Sequence, residues 1–256
     1  MYDFRNILDY SNEVFFNLVH FKHNRNLRAS ILINQIYFTA IQALPLIFLI
    51  SLFSGIFAVA ISQSLIGGTQ SKWIFEILIG TSIRDLSPII VGIIVLLRSG
   101  NAITTELGAM RVEKEIDALI TMGISPISYL VAPRVMGLVL STILLGVYFG
   151  IVSILGGFLV SFFYNGINFN EFIYQFSKVL TVSDLGIMII KNFVTGIIIG
   201  FVCTYIGLQK STTITEIPQK NIKAVTLSSA SLIIFNLFIT ILQVLNSSLI
   251  GYVKYA

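Results

Sequence analysis

Three ionisable residues stand within long, largely apolar stretches: Arg84 and Asp85 in one run, Lys191 in another. Groups of this kind form ion pairs, relay protons, or hold the polar part of a substrate inside a membrane. Successive residues of a helix point in different directions, so Arg84 and Asp85 need not pair with each other. A pair between Asp85 and Lys191 is open, as are roles in lining a translocation route or holding a dimer. A second charged set, Glu106, Arg111, Glu113, Lys114, Glu115 and Asp117, decorates a polar island over residues 98–133. Metal chemistry has no support. The single cysteine, Cys203, lies in an apolar run, and His20 and His23 lack Cys or acidic neighbours. Neither a metal nor any other cofactor is expected. No Gly-x-x-x-x-Gly-Lys-Ser/Thr phosphate loop occurs, so the chain has no ATP site of that kind and is not expected to be an enzyme.

The elements that must position these residues follow from composition. Of 256 residues, 55% are apolar and 11% charged, with a mean hydropathy of +0.90. A soluble domain carries roughly 25% charged residues. The recurring uncharged runs predict an all-α integral membrane protein: a single domain over residues 1–256 with about five transmembrane helices, at residues 35–61, 74–97, 135–163, 185–208 and 224–250. Residues 1–30 mix aromatics with charges at helical spacing, which predicts an amphipathic helix at the membrane surface. No cleavable signal peptide is visible there. Pro45 predicts a break in the first span. Gly146 and Gly150, then Gly196 and Gly200, are spaced for close helix packing.

The second span is the odd one. It holds fifteen Leu, Ile, Val and Phe residues, each favouring insertion by roughly 0.3–0.6 kcal/mol. Two central charges each oppose it by roughly 2.5–3.5 kcal/mol. The sum is near zero, so this helix should depend on neighbouring helices or a wet cavity. With the N-terminus inside, the inner segments carry eleven Lys and Arg and the outer ones three (Lys72, Lys178, Lys254). That bias places the island in the cytoplasm. A net charge of +4 fits loops facing anionic headgroups. No basic stripe is interleaved with aromatics, which excludes a nucleic-acid partner.

Within the island, Ile103, Leu107, Met110, Val112, Ile116 and Leu119 recur at helical spacing, and Gly123 and Pro126 are stop signals. One helix over residues 101–122 is predicted. The order Leu86-Ser87-Pro88, Arg98-Ser99-Gly100-Asn101-Ala102, Glu106-Leu107-Gly108-Ala109-Met110-Arg111-Val112, Glu115-Ile116-Asp117-Ala118-Leu119, Met122-Gly123-Ile124-Ser125-Pro126 and Tyr129-Leu130-Val131-Ala132-Pro133-Arg134 resembles the MlaE-type permease family of lipid ABC transporters, in its plastid and cyanobacterial-like branch. The resemblance runs for about fifty residues without a gap. Two departures stand out: the family's usual Glu is Asp85 here, and its Gly is Ser87. In place of the family's Gly-rich turn and late acid, the chain has Ile214-Thr215-Glu216-Ile217-Pro218-Gln219 and Asn236.

The resemblance implies a transport subunit that moves phospholipid or a related lipid as a homodimer, with a separate ABC ATPase and a lipid-binding partner protein across the membrane. It implies that the island is a coupling helix, with Glu106, Arg111, Glu113 and Asp117 as the residues that engage the ATPase. The alternative is an ion-coupled secondary transporter or channel using Arg84, Asp85 and Lys191. Richness in Ile, Phe, Asn and Ser fits an AT-biased genome. It favours a plastid membrane, the chloroplast inner envelope, with a bacterial inner membrane as the alternative.

Overall fold

A computed structural model describes Tyr10, Val14 and residues 25–66, 71–209 and 213–255. Most of the surface helix expected over residues 1–30 falls outside these. Tyr10 and Val14 are both buried, and the Tyr10 hydroxyl donates to Thr204 Oγ1 at 2.8 Å.

Among the described residues there are helices and turns and no strand. Five segments are long and apolar enough to cross a membrane: Leu32–Ser64, Trp73–Val112, Ile127–Tyr164, Val182–Leu208 and Ile214–Leu245. The first contains the end of α1 (Arg25–Thr39), a 3₁₀ turn (Ile41–Ala43) and α2 (Leu44–Ile66). The second runs through α3 (Ser71–Ile77), a π-helical stretch (Leu78–Leu86), α4 (Ser87–Val95), a second π turn (Leu96–Gly100) and α5 (Asn101–Val112). After the short α6 (Glu115–Thr121), a π turn (Ile127–Val131) leads into α7 (Ala132–Asn165), the third span. A short helix, α8 (Phe169–Val179), connects it to the fourth span, α9 (Val182–Leu208). A 3₁₀ turn (Ile214–Glu216) opens the fifth, α10 (Ile217–Tyr255).

The prolines account for much of this segmentation. Pro45, Pro88, Pro133 and Pro218 each occupy the second residue of an α-helical segment, directly after a 3₁₀ or π turn. Proline has no N–H, and its ring collides with the carbonyl four residues back. The preceding turn must therefore wind tighter or wider than an α-helix. For the first span this puts the break at residues 40–43, ahead of Pro45 rather than at it.

The helix expected over residues 101–122 is two helices instead. Lys114 takes a left-handed conformation, φ 60°, and separates α5 from α6. The chain does not turn at Arg98-Ser99-Gly100-Asn101. The π turn there carries the helix onward, so the second segment spans 40 residues.

The spans alternate in direction. Segments 101–126 and 213–223 gather at one end, where Ile217 lies against Gly108 and the Asn221 amide donates to Thr105 Oγ1 at 2.6 Å. At the other end α8 packs Phe172 and Phe176 on Phe75 and Phe158. The second and third spans are the most enclosed, with 56% of their most apolar window buried, against 17% in the fifth.

Close approach of helices rests on small residues, because lipid offers no hydrophobic gain for bringing apolar helices together. A Cβ on Gly55 would sit 1.9 Å from the Ser153 carbonyl oxygen, and one on Gly156 would sit 2.2 Å from that of Leu52. These two glycines set the contact of α2 with α7. Between α7 and α9, a Cβ on Gly146 would meet the Asn192 amide at 2.5 Å and one on Gly196 would meet Thr142 Oγ1 at 2.5 Å. At Gly200 the neighbour is Val135 at 3.0 Å, whereas Gly150 faces only ordinary contacts, Met188 Sδ at 3.8 Å and Ile83 at 3.9 Å. The Gly156→Leu variant is expected to lose stability by about 1–3 kcal/mol or more. Gly186→Ala, with nothing within 4 Å, should be neutral or slightly stabilising. Thermal unfolding of the two detergent-solubilised variants measures the contrast.

Candidate functional site

The π stretch Leu78–Leu86 carries Arg84 and Asp85, and Pro88 follows two residues after it. In an α-helix the N–H of residue 88 would bond the carbonyl of residue 84. Proline removes that donor. Lys191 of α9 supplies another: its Nζ donates to the Arg84 carbonyl oxygen at 3.2 Å. The same ammonium donates to Asp85 Oδ1 at 2.8 Å and to Thr240 Oγ1 of α10 at 3.0 Å. Lys191 is fully buried, so all three N–H donors of its ammonium find partners where water does not reach. The Thr240 hydroxyl donates in turn to Asp85 Oδ1 at 2.9 Å, which closes a ring of three side chains from three spans.

Arg84 turns to a different residue of the same neighbour. Its Nε lies 3.2 Å from Asp184 Oδ1 in the first turn of α9. The Nε–H is not aligned for a hydrogen bond, so this contact is an ion pair held by charge alone. Asp184 is buried and has a second task. Its Oδ2 accepts from the Thr181 N–H at 3.0 Å and from the Thr181 hydroxyl at 2.8 Å, forming the cap that starts α9.

Adjacent residues of the second span thus pair with positions 184 and 191, two turns apart on one face of α9. A π stretch winds more slowly per residue than an α-helix, which brings neighbouring side chains closer in direction. The cluster holds two positive and two negative charges and is neutral as a whole. Around a third of the Arg84 side chain, 33%, and of the Asp85 side chain, 37%, remains accessible, whereas Asp184 and Lys191 are enclosed. Nearby, the buried amide oxygens of Asn192 and Asn236 have no hydrogen-bond partner among the described residues. The geometry binds spans together and leaves a polar face on the second span at membrane depth.

At the end of the bundle that gathers α5 and α6, the other charged set is laid out differently. The buried face of α5, Ile103, Thr104, Leu107 and Gly108, rests on α9 and the start of α10. Thr104 Oγ1 donates to the Cys203 carbonyl at 3.2 Å. Glu106 accepts from Arg134 Nη2 at 2.6 Å, which joins α5 to the first turn of α7. Arg134 is 6% exposed, and its Nη1 has no hydrogen-bond partner among the described residues. Arg111 Nη1 donates to Asp117 Oδ1 at 3.0 Å and so clamps α6 back on α5 across the Lys114 bend. Glu113, Lys114, Glu115, Asp117, Met122 and Ile124 are exposed and form the tip. Arg98 is exposed and donates to the backbone carbonyl and the side-chain oxygen of Gln42.

The structure therefore brings Arg84, Asp85 and Lys191 together and adds Asp184 and Thr240. Asp184 had a legible signal in the Thr181-x-x-Asp184 spacing at the start of an apolar run. Thr240 had none, since a lone threonine in an apolar span is ordinary. Glu106, Arg111, Glu113 and Asp117 share one end of the molecule, with Glu106, Arg111 and Asp117 engaged in ion pairs and Glu113 open.

A family model described as "Permease MlaE" matches residues 32–242. Among curated relatives, a probable ABC transporter permease protein of Rickettsia prowazekii is 31% identical over 214 residues, covering 82% of each chain. The probable ABC transporter permease protein ycf63 of the red alga Pyropia yezoensis is 29% identical, over 82% of this chain and 78% of its own. A probable ABC transporter permease protein of the cyanobacterium Synechocystis is 31% identical over 61% of this chain and 60% of its own.

Removing one partner of a buried ion pair leaves the other uncompensated, at a cost of about 3–5 kcal/mol. Lys191→Met is expected to fall in that range. Asp85→Asn should cost less, because the amide oxygen still accepts a hydrogen bond and the side chain is partly exposed. In the double variant the loss should be smaller than the sum of the two. Thermal unfolding in detergent measures the coupling, and strictly additive losses would show that the two residues do not act as a pair.

Proposed function

The chain belongs to the MlaE permease family and is a multi-pass ABC transporter permease, and on that premise we propose that it moves phospholipid or a related polar lipid across or between membranes, driven by a separate ATPase. The observation that carries this reading is the unbroken helical path of the second span. It leads from the polar face at Arg84 and Asp85 to the exposed tip around Glu113. A helix transmits force along its axis, so a push on the tip reaches the π stretch directly. Glu106, Arg111, Glu113 and Asp117 are assigned to ATPase coupling. Glu113 and the exposed rim of Asp117 touch the partner, while the Glu106–Arg134 and Arg111–Asp117 pairs keep α5 and α6 rigid.

Large apolar residues on the outside of α2 and α10, among them Phe53, Phe57, Ile234 and Phe238, offer a surface for acyl chains or for a second copy. A homodimer and a lipid-binding partner across the membrane complete the assembly. Gly146, Gly150, Gly196 and Gly200 are assigned to packing of α7 against α9 and its surroundings. The neutral, fully bonded Lys191 site favours this reading over an ion-coupled carrier, which needs a group free to bind and release its ion. Relatives in red algae and a cyanobacterium, with the AT-biased composition, support a plastid envelope as the compartment. Relatives in Rickettsia keep a bacterial inner membrane as the alternative.

Purification of the tagged protein from its native membrane in mild detergent should bring down an ABC ATPase together with phospholipid. The Glu113→Lys/Asp117→Lys variant should lose the ATPase while keeping the elution volume of the permease. A preparation that carries ion-dependent flux and no ATPase would favour the carrier instead.

A further inference from the structure

The fifth span is weakly held by packing. Only 17% of its most apolar window is buried, and Ile233, Ile234, Leu237, Phe238 and Ile241 are exposed. In lipid, apolar contact gives little net drive for helix association, so interhelical hydrogen bonds weigh more in setting where such a span sits. Near its start α10 is tied by Ile217 on Gly108 and by the Asn221–Thr105 bond. Thr240 lies more than five turns further along the helix.

A hydroxyl inside a membrane helix commonly bonds the carbonyl three or four residues back. Other hydroxyls of α10 do this. Thr226 bonds the Ile222 carbonyl at 2.8 Å, Ser229 bonds that of Thr226 at 3.1 Å, and Ser231 bonds that of Leu227 at 2.8 Å. Thr240 instead turns outward from its own helix. It accepts from Lys191 at 3.0 Å and donates to Asp85 at 2.9 Å. Using the oxygen in both senses fixes the hydroxyl rotor and lets one small side chain contact both members of the ion pair. The carboxylate is the stronger acceptor, and charge-assisted bonds of this kind exceed a neutral back-bond to a carbonyl.

We propose that Thr240 is a positioning residue that latches the fifth span to the Asp85–Lys191 pair, so that α10 moves together with the π stretch of the second span during transport. The hydroxyl does not touch the transported molecule; it acts through Asp85 and Lys191. The transport part of this inference rests on the permease reading above, and the latch itself does not.

Two variants separate the hydroxyl from the shape of the side chain. Thr240→Val keeps the volume and removes both bonds, and Thr240→Ser keeps the hydroxyl. In a Cys203→Ser background, spin labels at Ile190 of α9 and Phe238 of α10, both exposed, report the spacing of the two spans in lipid nanodiscs. Excess unlabelled protein suppresses distances between copies. The unmodified residue and Thr240→Ser should give one narrow distance distribution, and Thr240→Val a broadened or shifted one. Identical distributions for all three, or a Thr240→Ser distribution like that of Thr240→Val, would overturn the latch. In the whole transporter, Thr240→Val should lower lipid moved per ATP hydrolysed several-fold with ATPase binding retained, and Thr240→Ser should restore it. Unchanged coupling in Thr240→Val would sink the transport role of the latch. A distance change as expected, with no ATP-driven lipid transfer by the unsubstituted protein, would instead sink the lipid-transport reading.

Discussion

A fully buried ammonium group, that of Lys191, sets the terms for the middle of this protein. An ion taken out of water carries a desolvation penalty of several kcal/mol unless opposite charge and hydrogen bonds replace the lost solvent. Here three acceptors from two other spans do so: a backbone carbonyl freed by Pro88, the Asp85 carboxylate and the Thr240 hydroxyl. The requirement runs both ways. The second span cannot leave its Arg84 carbonyl and Asp85 bare in hydrocarbon, and without them Lys191 would lose two of its three hydrogen-bond acceptors. The near-zero insertion balance of the second span is thus resolved by its neighbours rather than by its own composition.

The proline that frees the carbonyl also reshapes the helix that carries the charges. By forcing a wider turn ahead of itself, Pro88 comes with the π stretch that lets Arg84 and Asp85 both face α9. Asp184 then serves as counter-ion to Arg84 and as the cap of α9, so the start of that span and the ion-pair cluster share one side chain. Few of these groups could change alone. Each is the partner of another whose burial depends on it.

The same second span continues without interruption into α5. Its buried stripe rests on α9 and on the start of α10, while the Arg134–Glu106 and Arg111–Asp117 pairs brace it from the sides. One of these, Arg134, is nearly as buried as Lys191, whereas its partner Glu106 faces outward. An exposed carboxylate bonded to a buried guanidinium is a rigid fixture on an accessible surface, in contrast to the cluster around Arg84 and Asp85 in the first third of the span, where Asp184 and Lys191 are enclosed. The two charged sets are therefore built on one helix with different exposure, one suited to holding spans together and the other to meeting a partner.

Much of the architecture was legible in the sequence because hydropathy acts locally. Runs of Leu, Ile, Val and Phe need no long-range information to mark five spans, and the motif order from Leu86 to Arg134 marked the family. Charge order along the chain likewise marked Glu106 to Asp117 as one polar set, although α5, which carries Glu106 and Arg111, is continuous with the second span. What the sequence left open was direction and continuity. The second span was expected to end at residue 97, with a separate helix from residue 101, yet one helix passes through Arg98-Ser99-Gly100-Asn101, because a π turn absorbs the irregularity. The reverse holds at Lys114, where a helical pattern hides a left-handed break. The Asp85–Lys191 pair stood as one option among several, and Thr240 did not stand out at all. Both depend on which faces of three distant segments come together, and that is decided by where small residues such as Gly55, Gly146 and Gly196 let helices approach. Sequence alone determined which residues could not face lipid. Only the tertiary structure decided which of them face each other, because that choice is made by backbone approach between spans and not by any property of one span.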